Sequence, residues 1–120
     1  MLPLPRLVFA LAPLALAACG FFYTDIEEWD CPSEGTSLTY ENFGAAFINA
    51  HCQSCHGSTA TDRAGAPGEF IFDTRSQVER HRARIFARSA GENDSMPPGP
   101  DDPTLEERTK LADWLACGAP

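Results

Sequence analysis

The stretch HCQSCHG, residues 51–57, decides how the rest of the chain is read. Two cysteines three positions apart, with a histidine on either side, suit a metal clamp, a redox dithiol or the point of attachment of a haem. Each reading needs different surroundings. Structural zinc takes four ligands in a tetrahedron, usually as two pairs from separate segments. Here His51, Cys52, Cys55 and His56 crowd one segment, and no second Cys/His pair lies downstream. A thioredoxin-like CxxC sits at a strand-to-helix turn of an α/β pattern, whereas a helical pattern leads into Cys52. The third reading asks only for what these five residues supply. C-x-x-C-H offers two thiols that can add to the two vinyl groups on one porphyrin edge, and an imidazole that reaches the iron from the same side. Cys52 and Cys55 are then the thioether cysteines and His56 the proximal ligand.

Upstream, the compartment agrees. The chain opens MLPLPRLVFALAPLALAACG, with one basic residue, Arg6, before an apolar run from Leu7 to Ala17 and then small residues. This is an export-signal pattern, too short to span a bilayer comfortably. An exported protein lives where disulfides and thioether bonds form. The run ends in Leu16-Ala-Ala-Cys19, which resembles the lipobox of bacterial lipoproteins. The resemblance implies removal of residues 1–18 and diacylglyceryl modification of Cys19. Acyl chains then anchor the protein to a membrane, stably when there are two or more. The other reading is ordinary cleavage after Ala15-Leu16-Ala17, with Cys19 left as a thiol. Gly20 lacks the aspartate that retains some lipoproteins in the inner membrane, so the anchor is expected in either the inner or the outer membrane.

At 120 residues the chain has room for one small domain, and its formal charge of −8 excludes electrostatic binding of nucleic acid. Residues 19–37 show no clear period and end in turn-formers, as in a tether. Within it Phe21, Phe22, Tyr23 and Trp29 either contact the membrane interface or, as expected, pack against the domain. The domain itself is expected over residues 38–120. Its first helix starts at Thr39, whose hydroxyl caps free backbone N–H groups, with Leu38 and Phe43 as a hydrophobic staple. Tyr40, Phe43, Gly44, Phe47 and Ile48 then form one apolar stripe that runs into Cys52. A second helix is predicted over Ser76–Arg88, opened by a Ser76-x-x-Glu79 capping box. The stretch ENDSMPPGPDDP, residues 92–103, holds four prolines and is no regular structure. The last helix begins at Thr104, with Glu107 completing a capping box, and ends at Gly118 in a C-cap position. No strand period of useful length appears, so the fold class is all-α.

From Thr39 to the C-terminus the chain resembles the class I c-type cytochromes, most closely the small cytochrome c-like domains of bacterial envelope proteins. CQSCHG carries the resemblance first. Gly44 and Ile48, eight and four residues before Cys52, match that family's small and large contact positions on its N-terminal helix. LADWL, Leu111 to Leu115, matches its C-terminal helix, whose aromatic packs near the glycine; a residue without a side chain lets two helices approach closely. SMPP, Ser95 to Pro98, resembles the loop that presents the sixth iron ligand. The resemblance implies about three helices wrapped around one covalently bound haem c.

Met96 is then the expected sixth ligand, a soft thioether on a proline-stiffened loop. His81, on the inner side of the second helix with Val78 and Ile85, is the alternative, and His51 is expected at the helix surface. The other ring nitrogen of His56 needs a partner; the family's proline-region carbonyl maps onto Pro67. With Cys19 assigned to lipid and Cys52 and Cys55 to haem, Cys31 and Cys117 remain. The implied crossing of first and last helices brings these two to one end of the domain, as a disulfide. Arg80, Arg84 and Arg88 repeat every fourth residue as one exposed stripe. It is a solvated face, a docking patch for an acidic partner, or a counter-charge for haem propionates.

The function these readings imply is one-electron transfer with redox partner proteins, on the periplasm-facing side of a bacterial cell-envelope membrane. No acid–base constellation marks the chain as an enzyme. Two alternatives stay open: a haem-based ligand sensor or peroxidase-like domain with an open sixth site, and a haem subunit of a larger oxidoreductase.

Overall fold

Three capped helices, each begun by a threonine, frame the domain in a computed structural model that describes residues 25–120. The signal sequence, Cys19 with its lipid assignment, and Phe21, Phe22 and Tyr23 lie outside the described residues.

Thr39 opens the first helix as expected: its hydroxyl accepts from the Asn42 N–H, and the Asn42 side chain returns a bond to the Thr39 N–H. The first turn, Tyr40–Gly44, is π-helical and continues directly into helix α1, Ala45–His51. Cys52 breaks the regular run, and the single turn α2, Gln53–His56, follows. The second long helix, α3, spans Arg75–Ser89. Its capping box is Thr74 with Gln77, not Ser76 with Glu79. Ser76 is already the second residue of the helix and cannot cap it, and Glu79 pairs instead with Arg75 one turn back at 2.8 Å. Helix α4, Leu105–Ala116, has the expected Thr104/Glu107 box. It stops at Cys117, and Gly118 takes the left-handed conformation (φ +97°) that glycine permits.

The result is an all-α globule of three main helices, with no strand among the described residues. No helix among them is long and apolar enough to cross a membrane. Its core is built from the inner faces of all three helices: Phe47 and Ile48 from α1, Val78, Ile85 and Phe86 from α3, and Leu111, Trp114 and Leu115 from α4. The two terminal helices meet at Gly44 and Trp114. A Cβ on Gly44 would fall inside the Trp114 indole, so only glycine fits this crossing. Trp114 is completely buried, and its Nε1 donates to the Pro120 carbonyl at 3.2 Å.

The segment read as the end of a tether lies on this core from Asp25 onward. Ile26 is buried within it, and Trp29 packs edge-on against Phe86 while its Nε1 donates to Asp113 at 2.9 Å. Cys31 and Cys117 form a disulfide with Cα atoms 5.1 Å apart, closing a sequence separation of 86 residues. In a chain-entropy treatment a loop of that length contributes roughly 4–5 kcal/mol.

Candidate functional site

A cavity of about 540 Å³ opens between the end of α1, the loop after α2, the C-terminal half of α3 and the proline-rich segment before α4. That is within the range of about 300–1,000 Å³ in which proteins hold small molecules and cofactors. Its lining brings together Cys52, Cys55, His56, Pro67 and Met96, residues separated by up to 44 positions in the chain. His51 lines it too, its ring 4.9 Å from that of Phe47, and is partly buried where the helix surface was expected. Phe70, Phe72 and Ile85 give the cavity an apolar interior.

Helix α1 delivers the first cysteine. Its last turn ends when the Cys52 N–H donates to the Ile48 carbonyl at 2.9 Å, and the buried Ile48 fixes which way that end faces. The turn α2 then places Cys55 and His56 one winding on, with both of their N–H groups bonded to the Cys52 carbonyl. Both cysteines are free thiols. Burial pushes the Cys52 thiol up to about 12, so it keeps its proton at neutral pH. Reactive dithiols show the opposite shift, because the thiolate is the attacking form in disulfide exchange. Among the described residues no group of three or more His, Cys, Asp or Glu side chains is arranged to hold a metal ion, which leaves the zinc reading without a structural counterpart there.

His56 is oriented by two contacts. Its ring stacks on Phe72 at 4.6 Å with a 21° tilt, and its Nδ1 lies 2.9 Å from the Phe70 carbonyl. The partner expected from Pro67 is therefore Phe70. The Pro67 carbonyl is occupied elsewhere, accepting from Phe70 N–H at 3.1 Å and from Arg63 Nη2 at 3.0 Å, in the turn that swings Phe70 toward the histidine. A proton on Nδ1, donated to Phe70, leaves Nε2 as the nitrogen with a lone pair for a metal.

Arg63, absent from the sequence expectations, braces this loop. Its guanidinium donates to the carbonyls of Gly57, Ala66, Pro67 and Phe70 at 3.0–3.3 Å. On the outer side Asp73 accepts from the Ser58 N–H at 3.1 Å, and hydrogen bonding from Ser58, side chain first and then backbone, holds the Asp73 carboxyl below its ordinary range.

Met96 reaches the cavity from the other direction in sequence, on the segment between α3 and α4, and is 39% exposed. Its N–H donates to the Arg88 carbonyl at 2.9 Å, and its own carbonyl accepts from Arg108 at 2.9 Å. His81 is placed differently. It packs edge-on to Phe70 at 5.1 Å and near Phe72 at 5.9 Å, the residues that bond and stack His56, and does not line the cavity. Of the arginine stripe, Arg84 and Arg88 line the cavity, and Arg80 and Arg84 are exposed.

Sequence reasoning missed Arg63, Phe70 and Arg108. Arg108 alone left a signal: it falls in register with Leu111, Ala112 and Leu115 on the buried stripe of α4, a charge where the period calls for an apolar residue. Comparison with protein-family models, with curated proteins and with solved structures finds no match to this chain.

Proposed function

We propose that this chain is a monohaem c-type cytochrome lipoprotein that carries single electrons in the bacterial cell envelope. The observation that carries the reading is the meeting, on one cavity, of Cys52, Cys55, His56 and Met96, with His56 Nδ1 already committed to the Phe70 carbonyl. The donor set fits a haem c. Two free thiols three residues apart suit two vinyl groups on one ring edge, and an oriented imidazole and a thioether come from separate segments of the same apolar cavity. Such a haem, held through Cys52 and Cys55, supplies a one-electron ferric/ferrous couple.

The chain's own groups do the rest. His56 is kept in one tautomer and one orientation by Phe70 and Phe72, and this second bond raises its basicity as a ligand. Met96 provides the soft second donor, which favours a higher potential than a second histidine would. Support for Met96 over His81 comes from their surroundings, since Met96 lines the cavity and His81 packs behind Phe70 and Phe72. Phe70, Phe72 and Ile85 limit water around the ring. Arg84 and Arg88 bring positive charge to the cavity of a chain with net charge −8, where it serves an acidic redox partner or the propionates. Cys19 anchors the protein to the inner or outer membrane, facing the periplasm.

The test is the absorption spectrum of the oxidised holoprotein. A weak far-red band, abolished in Met96→Ala, is the expected signature of methionine–iron ligation. Its absence with haem bound, together with rapid carbon monoxide binding to the reduced protein, would transfer the reading to a sensor or peroxidase-like domain. Co-purification from membranes with a dehydrogenase or oxidase would make the chain a subunit of a larger oxidoreductase.

A further inference from the structure

Arg108 is only 4% exposed, on the inner face of α4 beside Leu111, Ala112 and Leu115. Burying a guanidinium costs free energy unless its donors are satisfied, and a well-packed apolar residue in such a place is often neutral or stabilising. What Arg108 does with its charge is therefore informative. Its Nη1 lies 2.9 Å from the Ser89 carbonyl, 3.0 Å from that of Asn93 and 2.9 Å from that of Met96. The nitrogen carries two hydrogens for these three acceptors, so at least one is shared. Its main-chain carbonyl also takes part, accepting from the Gly91 N–H at 2.8 Å. Nη2 makes no hydrogen bond among the described residues, and the nearest acid, Asp102, stands 4.0 Å away. Nearly all the hydrogen bonding of this side chain is thus spent on one stretch of backbone, residues 89–96.

That stretch needs an outside anchor. Pro97, Pro98, Pro100 and Pro103 follow Met96 and contribute no N–H groups. The Met96 main chain is pinned at its N–H by the Arg88 carbonyl and at its own carbonyl by Arg108. A thioether is a weak ligand, and it binds more firmly when its backbone does not have to be ordered at the moment of binding.

We infer that Arg108 is the positioning residue for the sixth ligand: its buried guanidinium gathers the carbonyls of Ser89, Asn93 and Met96 and so presets the Met96 thioether toward the iron. The inference rests on the reading of Met96 proposed above. Arg108 does not line the cavity; it acts through the loop.

The experiment uses the full-length, haem-loaded protein with Arg108→Gln, Arg108→Lys and Met96→Ala. It reads covalent haem content, helical circular dichroism, the far-red band with the pH at which it disappears, and carbon monoxide affinity of the reduced form. Expected is full haem content and helicity in both arginine variants, with the band cut about tenfold or more in Arg108→Gln and partly restored in Arg108→Lys. Carbon monoxide affinity should rise by about tenfold, the equivalent of about 1.4 kcal/mol of lost ligand preference. A band of wild-type strength and pH stability in Arg108→Gln would overturn the inference. So would failure of both variants to fold, because an arginine needed only for the fold accounts for that. A wild-type spectrum that Met96→Ala leaves unchanged would instead remove the Met96 reading itself, and this inference with it.

Discussion

The wall of the cavity that carries Cys52, Cys55 and His56 is shaped by its own neighbours, whereas the wall that carries Met96 is held from outside. On the first, α1 ends on Cys52, one turn presents Cys55 and His56, and a loop braced by Arg63 returns Phe70 and Phe72 to the histidine. On the second, a proline-rich segment takes its position from the end of α3 and from a guanidinium buried in α4. The difference has a physical cause. On the proposed reading, attachment residues that must meet one edge of a planar group are served by a single rigid turn, while a ligand from another segment comes on a loop that needs an anchor.

The largest effect should come from breaking the first wall. Cys52→Ser combined with Cys55→Ser is expected to leave no covalently bound haem, scored by haem retention on the denatured chain; retention would show that these thiols are not the attachment points. Next in size is the joint that ties the ends of the domain. Replacing Cys31 and Cys117 with serine should lower unfolding free energy by roughly 2–5 kcal/mol in urea melts, and a loss below the error of the melt would show the bridge to be idle. At the crossing of the terminal helices, Gly44→Ala forces a methyl into the Trp114 ring and should cost about 1–3 kcal/mol. That substitution should leave the far-red band in place, because it touches neither wall.

Smaller substitutions sharpen the account of α3, which supplies Arg84, Ile85 and Arg88 to the cavity. Thr74→Ala should cost about 1 kcal/mol, while Ser76→Ala should stay within about 0.5 kcal/mol; the reverse order would restore the Ser76 cap. Smallest of all is Asp73. Its folded carboxyl is held below the usual range by Ser58. It therefore adds stability that is present above the unfolded value and lost as pH falls through the lower folded one. Asp73→Asn should lower stability slightly at neutral pH and flatten its dependence on pH below about pH 4.

What the sequence made legible follows the same division. The motif at Cys52–His56 and the Thr39 and Thr104 caps are encoded by side-chain identity at short spacing, the Gly44–Trp114 crossing was implied by the resemblance to c-type cytochromes, and the structure has all of them. The partner of His56 was not readable, because every residue has a carbonyl and only the turn around Pro67 determines that Phe70 offers its own. The cap of α3 was misplaced by two residues since Thr74 and Ser76 each have a suitable residue three positions on. Arg108 was visible as a charge on an apolar stripe, but what it holds depends on a loop with no period to read.

The most direct measurement is the intact mass of the exported protein under denaturing conditions, with its visible spectrum. The account predicts a polypeptide heavier than the chain by one haem, with the colour travelling on the protein. A mass without haem, with Cys52 and Cys55 open to thiol reagents, would contradict it.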